Sequence, residues 1–212
     1  MTGRPRQLEL PAWGGRRKGA GRKRQGPRPL VSHKARPPHA PRFPLHAVLR
    51  TRDGIPRLRQ GSIFREVRAA FAAGAARTGF RLVHFSVQGN HLHLIVEAAD
   101  AVALSRGMQA LGIRLARAIN RAAGRTGSVF ADHYFARELK TPAEVRRAVR
   151  YVLDNHLLHN ALAPRTDAFA SSADAPLVAP RTWLLCVGWL RSRAGPLPVT
   201  AWARLTAPAG AG

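Results

Sequence analysis

Apolar residues recur along the middle of this chain at two spacings. Between about 62 and 78, Ile63, Phe64, Val67, Phe71 and Ala75 return at helical intervals, which predicts a helix with one buried face. Gly79 is expected to end it. The period then drops to two. Val83, Phe85 and Val87 alternate with Leu82, His84, Ser86 and Gln88, and Gly89-Asn90 is a turn signal before His91 to Glu97. Residues 81–97 therefore predict a hairpin. From 101 to 123 the helical period returns, with Leu104, Met108, Leu111, Leu115, Ile119 and Ala122 as its apolar stripe. Arg106, Arg114, Arg117 and Arg121 gather on the opposite side. Leu45–Arg52 and Tyr134–Lys140 are further strand candidates. Thr141-Pro142-Ala143-Glu144 is a capping box with proline at the first helical position. The helix it opens turns Val145, Ala148, Val149 and Val152 inward and is expected to run to about 158.

The order is strand, helix, strand, strand, helix, strand, helix. Its first six elements match an α+β, ferredoxin-like βαββαβ core, with an extra C-terminal helix. In that layout the helices cover one sheet face and leave the other open. Leu92, Leu94 and Val96 belong under the helices, so His91 and His93 are expected on the open face.

Composition adds a partner class. The 212 residues carry 35 Lys and Arg against 11 Asp and Glu, a net charge of +24. Such a field favours a polyanion, nucleic acid first. Only four of the basic residues are lysines, so a GC-rich genome also inflates the arginine count. Residues 1–44 hold 12 of the basic residues, one acid and eight of the 16 prolines, and keep no period. They read as a disordered basic arm. Arg16, Arg17, Lys18, Arg22, Lys23 and Arg24 form its densest cluster and are candidates for phosphate contact. Arg114, Arg117 and Arg121 are candidates of the same kind, with a plain solvated helix face as the alternative. Residues 45–160 read as the folded block. Residues 161–212, rich in proline and alanine, read as a partly ordered tail.

Cys186 is the only cysteine, which excludes an intramolecular disulfide and a multi-cysteine zinc site. No apolar leader opens the chain, and the run from Trp183 to Leu190 is too short to span a bilayer. The expectation is a cytoplasmic, nucleoid-associated protein with no membrane partner. Whether it is a monomer or a homodimer stays open.

The chemistry concentrates in two places. His91 and His93 lie two apart on a strand, so both imidazoles leave one face and can form half of a divalent metal site. Two merely solvated rings are the alternative. Tyr151 lies beside the apolar stripe of the last helix, and Asn155 is one turn on, on the same face. A phenol near a metal can attack phosphorus, and an amide oxygen is a hard ligand suited to Mg²⁺ or Mn²⁺. A helix-edge tyrosine packing on the sheet is the alternative for Tyr151. His84, His133, His156 and His159 have no assigned role, and surface placement is expected for most of them.

Taken together, these segments resemble the single-tyrosine HUH transposases (U being a bulky hydrophobic residue), and within them the REP-associated tyrosine transposases. Asn90-His91-Leu92-His93-Leu94 resembles the family's histidine signature. Gly127-Ser128-Val129-Phe130-Ala131-Asp132-His133-Tyr134 resembles the segment before its last strand. Arg150-Tyr151-Val152-Leu153-Asp154-Asn155 resembles its nucleophile helix. The likeness covers roughly residues 45–160. It implies that His91 and His93 bind the metal with Asn155 as third ligand, and that Tyr151 is the nucleophile. It implies cleavage and rejoining of single-stranded DNA through a 5′-phosphotyrosine, with single-stranded or hairpin DNA as partner. Asn155 is followed by His156, where the family often has proline, which puts the end of the nucleophile helix in question.

Two other classes compete with this enzyme. One is a domesticated relative that grips hairpins in DNA or RNA and no longer cuts. The other is a metal-dependent hydrolase of small phosphodiesters. The intact His-Leu-His and Tyr-x-x-x-Asn speak against the first, and the charge and basic arm against the second. The arm also generates a test. Deleting residues 1–44 should weaken binding to every single strand and flatten its salt dependence, since ~6–10 phosphate contacts cost ~10³–10⁵ in affinity between about 50 and 200 mM salt. An unchanged salt slope would mean that the arm does not touch phosphate.

Overall fold

The computed structural model describes residues 38–159, 167–171 and 178–192. The elements are β1 (Leu45–Arg50), α1 (Gly61–Gly74), β2 (Ala76–Arg77), β3 (Phe80–Val87), β4 (His91–Ala98), α2 (Ala101–Ala122), β5 (Phe135–Glu138), α3 (Pro142–His159) and α4 (Trp183–Cys186). A short 3₁₀ turn, Gly188–Arg191, follows α4. The sheet order is β2-β3-β4-β1-β5 and every neighbouring pair is antiparallel. Setting β2 aside, this is the α+β, ferredoxin-like arrangement expected from the sequence, with β1 and β4 in the centre.

Local signals set most boundaries. Asp100 caps α2, its Oδ1 accepting from the Ala103 N–H at 2.7 Å. The capping box of α3 forms as read: Thr141 Oγ1 accepts from Glu144 N–H at 3.2 Å, and Glu144 Oε2 accepts from Thr141 N–H at 3.2 Å. The first helix is shorter than its pattern. It stops at Gly74, packed so close to α2 that a Cβ there would lie 3.0 Å from Leu111 Cδ1. Residues 76–77 then pair with Phe80 and Arg81 across a Thr78-Gly79 turn, so the edge of β3 takes the hydrogen bonds a last helical turn would have used. Gly79 serves that turn at φ +74°, rather than ending the helix.

Two apolar layers hold the sheet. Leu82, Phe85, Leu92, Leu94 and Val96 pack on one side against Val67 and Phe71 of α1 and Met108, Leu111 and Leu115 of α2. On the other side Val83 and Ile95 pack against Val145, Val149, Val152 and Leu153 of α3 and Leu184, Leu185 and Trp189. The second face is thus covered, not open. Leu94-Ile95-Val96 is apolar on both parities, the mark of a strand buried on both sides, and α3 supplies the missing layer.

Segments outside the expected folded block also join this framework. His39 Nδ1 lies 2.8 Å from Glu138 Oε1 and its Nε2 3.0 Å from the Ala98 carbonyl. Residues 38–44 are therefore pinned across the sheet end, which corrects the expected arm at its last residues. The rest of the arm, including Arg16, Arg17, Lys18, Arg22, Lys23 and Arg24, lies outside the described residues. After α3, residues 169–171 bond along the outer edge of β3: Val87 N–H donates to Phe169 O and Ser171 N–H to Phe85 O. β2 covers the start of that edge, so little of it stays unpaired. Arg59 anchors the segment by a bidentate pair to the buried Asp167, at 2.7 and 2.8 Å. The buried carboxylate of Glu97 accepts from the N–H groups of Arg181 and Thr182, which holds the entry to α4.

Gly107 is where α2 meets β3 most closely. A Cβ there would fall 2.2 Å from Phe80 Cγ and 2.8 Å from Phe80 Cβ, near the root of a buried ring. Alanine raises helix propensity by about 1 kcal/mol, but the ring cannot swing away without vacating the core. Gly107→Ala should destabilise the fold by roughly 1–3 kcal/mol, read as a lower urea midpoint at unchanged slope. Equal or higher stability would show that α2 can lift off Phe80 at no cost.

Candidate active site

Strict alternation on β4 sends Leu92, Leu94 and Val96 under α1 and α2. His91, His93, Ile95 and Glu97 face α3. The β1–β4 register then matters. His93 stands opposite Val48, and His46 opposite Ile95, so His46 is a diagonal neighbour of His93 on the same face. The two rings stack with centroids 5.2 Å apart, and His46 Nε2 lies 3.1 Å from His93 Nδ1. The ring of His91 stands edge-on to His93 at 4.8 Å. His46 was not foreseen among the site residues. Its parity against Leu45, Ala47 and Leu49 on β1 was the available signal, but only the pairing register shows which residue it meets.

The partners fix how the histidines present themselves. Burial, and then the charge of Arg137, push the His46 pKa down to about 4. A neutral His46 can accept the Nδ1 proton of His93, which puts the His93 lone pair on Nε2. His91 Nδ1 sits 2.9 Å from Asn90 Oδ1, an acceptor, so its lone pair also lies on Nε2. Both rings therefore have Nδ1 engaged, the arrangement in which metal-binding imidazoles are usually oriented.

Tyr151 reaches the same place from α3. Its ring stands edge-on to His93 at 5.1 Å and to His46 at 6.0 Å, and it is 42% exposed. The phenol is therefore open to an incoming substrate while packed on the imidazoles. Asn155, one turn on, is buried, and its Oδ1 has no hydrogen-bond partner among the described residues. A buried amide oxygen left without a donor is costly unless something else binds it. That orphaned oxygen is of a kind that a hard divalent ion accepts as a ligand. Among the described residues no three His, Cys, Asp or Glu side chains group to hold a metal.

Other candidates fall elsewhere. Tyr134 packs into the layer under α1 and α2, across the sheet from the histidines. α2 lies on that far side too, so Arg114, Arg117 and Arg121 are not brought to the site. Arg121 is engaged by Glu66 of α1 at 2.5 Å, while Arg114 and Arg117 are exposed. His84 and His156 are buried, against the surface placement expected for most of the unassigned histidines. They face the second apolar layer, under α3. His84 Nδ1 lies 3.0 Å from Ser171 Oγ, and His156 Nδ1 is 3.9 Å from Asp167 Oδ2. Ser86 and Gln88, also buried, bond each other at 2.7 Å.

The antiparallel sheet thus carries paired histidines on a central strand, with Tyr151 of α3 packed against His93. Residues 41–155, more than half of the chain, match the family described as "Transposase IS200 like". The chain belongs to that family. Among solved structures it is similar to the REP-associated tyrosine transposase bound to a REP hairpin, at 14% identity and a TM-score of 0.53, over 66% of this chain and 82% of that one. It is also similar to a putative transposase from Deinococcus radiodurans, at 18% identity and a TM-score of 0.39, over 53% of this chain and 88% of that one. No curated protein sequence matches it. Among the described residues no helix is long and apolar enough to cross a membrane.

Burial of His84 carries a pH dependence. Desolvation lowers its pKa from 6.5 to about 4 in the fold. Between those values the unfolded chain binds a proton that the folded chain refuses. Stability contributed by the neutral ring is therefore present above pH 6.5 and is lost as pH falls toward 4. From pH 6.5 to 5 the loss should reach up to about 2 kcal/mol for this one group. His84→Gln should unfold in urea with a visibly smaller difference between pH 6.5 and pH 5. The same difference in the variant and the parent would show that another group governs acid sensitivity.

Proposed function

We propose that this transposase cleaves and rejoins single-stranded DNA through a covalent bond between Tyr151 and the 5′-phosphate at the cut. The carrying observation is the convergence of His91, His93, His46 and Tyr151, with the Asn155 oxygen, which has no hydrogen-bond partner among the described residues, one helical turn from Tyr151. Mg²⁺ or Mn²⁺, held by His91, His93 and Asn155, would polarise the scissile phosphate and offset its developing charge. Tyr151 Oη attacks phosphorus, an O–P bond forms, and the bond from phosphorus to the 3′ oxygen breaks. That oxygen takes up a proton from solvent and leaves as a 3′-hydroxyl, and the tyrosine proton goes to solvent or to a neighbouring base. The number of phosphoester bonds is conserved, so the 3′-hydroxyl of another strand can reverse the attack and rejoin the ends without an external energy source. His46 acts through His93, holding its ring in the tautomer that offers Nε2. The similar structure is bound to a REP hairpin, which supports hairpin DNA as the substrate here.

Removal of one oxygen tests this. Tyr151→Phe keeps the ring contacts, so folding and DNA binding should survive while the adduct that resists SDS vanishes. Tyr134→Phe should still form it. His91→Ala, His93→Ala or Asn155→Ala should abolish cleavage in Mn²⁺ and spare most binding. Persistence of a 5′-linked adduct in Tyr151→Phe, or full cleavage by the parent protein in EDTA, would refute the mechanism. Hairpin binding by the parent protein without any adduct would identify instead a relative that no longer cuts.

A further inference from the structure

At the end of the sheet away from the histidines, where β4 runs out and β3 begins, lies a cavity of about 670 Å³. Arg42, Arg77, Arg81, Arg181 and Trp183 line it, with Glu97 as the carboxylate in the wall. The charge of Glu97 is already answered by the N–H groups of Arg181 and Thr182 and by the Arg81 guanidinium 3.8 Å away. Arg42, Arg77 and Arg181 have no carboxylate partner among the described residues. A second cavity of about 420 Å³ shares Arg77, Gly79, Phe80 and Ala99 as a common wall and adds Arg106. The result is a basic groove around the β2–β3 turn.

Trp183 makes this more than a charged surface. It is 49% exposed, unusual for an indole in a folded domain. The ring is nevertheless held in place. Gly188 backs it so closely that a Cβ there would lie 2.6 Å from the ring, and the Arg191 guanidinium sits 5.1 Å from its centroid. A fixed, half-exposed indole with the Arg191 guanidinium over it, beside Arg42, Arg77 and Arg181, is the chemistry that receives an unpaired nucleotide, with the base stacked on the indole–guanidinium pair and phosphates on the other guanidinium groups. We infer that this groove is a second nucleic-acid site, which holds unpaired nucleotides of single-stranded DNA at a distance from the cleavage centre. His93 and Glu97 are four positions apart on β4, roughly 13 Å at strand spacing. The inference concerns binding, and it stands whether or not Tyr151 cuts.

The test is equilibrium binding of the full-length protein, in EDTA, to a fluorescently labelled single-stranded DNA of mixed sequence and to the same DNA as a blunt duplex. Trp183→Ala should weaken single-strand binding about tenfold, as loss of a base-stacking aromatic does. Arg77→Ala with Arg181→Ala should lower the salt slope by about 1.4, the value for two phosphate contacts on a single strand. Both arginines are exposed, so this pair should leave the thermal midpoint unchanged and carries the test if Trp183→Ala unfolds. Arg65→Ala with Arg68→Ala removes the same charge from the exposed side of α1 and should change the slope far less. Equal losses from the two arginine pairs would reduce the groove to bulk charge and overturn the inference. Equal losses for the blunt duplex would overturn its assignment to unpaired nucleotides.

Discussion

The pairing of β4 with β1 is the constraint on which the rest depends. β4 is buried on both faces, so its alternation has no slack: one parity fills the layer under α1 and α2, the other faces α3. A slip of one residue would drive His93 into an apolar layer and send Leu92 and Leu94 to the site. The hydrophobic effect that fixes the strand therefore also fixes which side the imidazoles leave. The register against β1 does the second half of the work by setting His46 beside His93.

The site is assembled at the boundary between a dry layer and water. His93 and Asn155 are buried while Tyr151, on the same helix face as Asn155, remains 42% exposed. That gradient falls within one turn of α3. It suits the proposed chemistry, in which the ligands need a low-dielectric setting and the nucleophile must meet a substrate too large to enter. His46 is kept neutral mainly by burial. Its role follows from its contact with His93, not from any exposure of its own.

The segments after α3 act on the same framework. Asp167, tied to Arg59 and close to His156, fastens the end of the α3 region to the β3 edge. Glu97 fastens the stretch leading to α4 at the opposite end of the sheet. Two sets of polar groups are thus separated by the apolar contact of Ile95 with α3. One holds the histidines and tyrosine, the other the arginine-lined groove with Trp183.

Much of this was legible in the residue pattern. The order of elements, the capping box of α3, the hairpin at Gly89-Asn90 and the shared face of His91 and His93 follow from local periodicity and turn chemistry, which act over a few residues. Tyr151 and Asn155 share a helix face for the same reason. The sequence by itself did not determine where α1 stops, because that depends on the approach of Gly74 to α2 and on the free edge of β3. It did not determine that the histidine face is covered, since Ile95 reads as one apolar residue until α3 is laid over it. His46 and His93 are 47 positions apart and meet only through strand register. The groove at Trp183 gathers arginines from four separate stretches of chain. Contacts of that kind arise when distant segments bury each other, and tertiary packing, not local pattern, decides them.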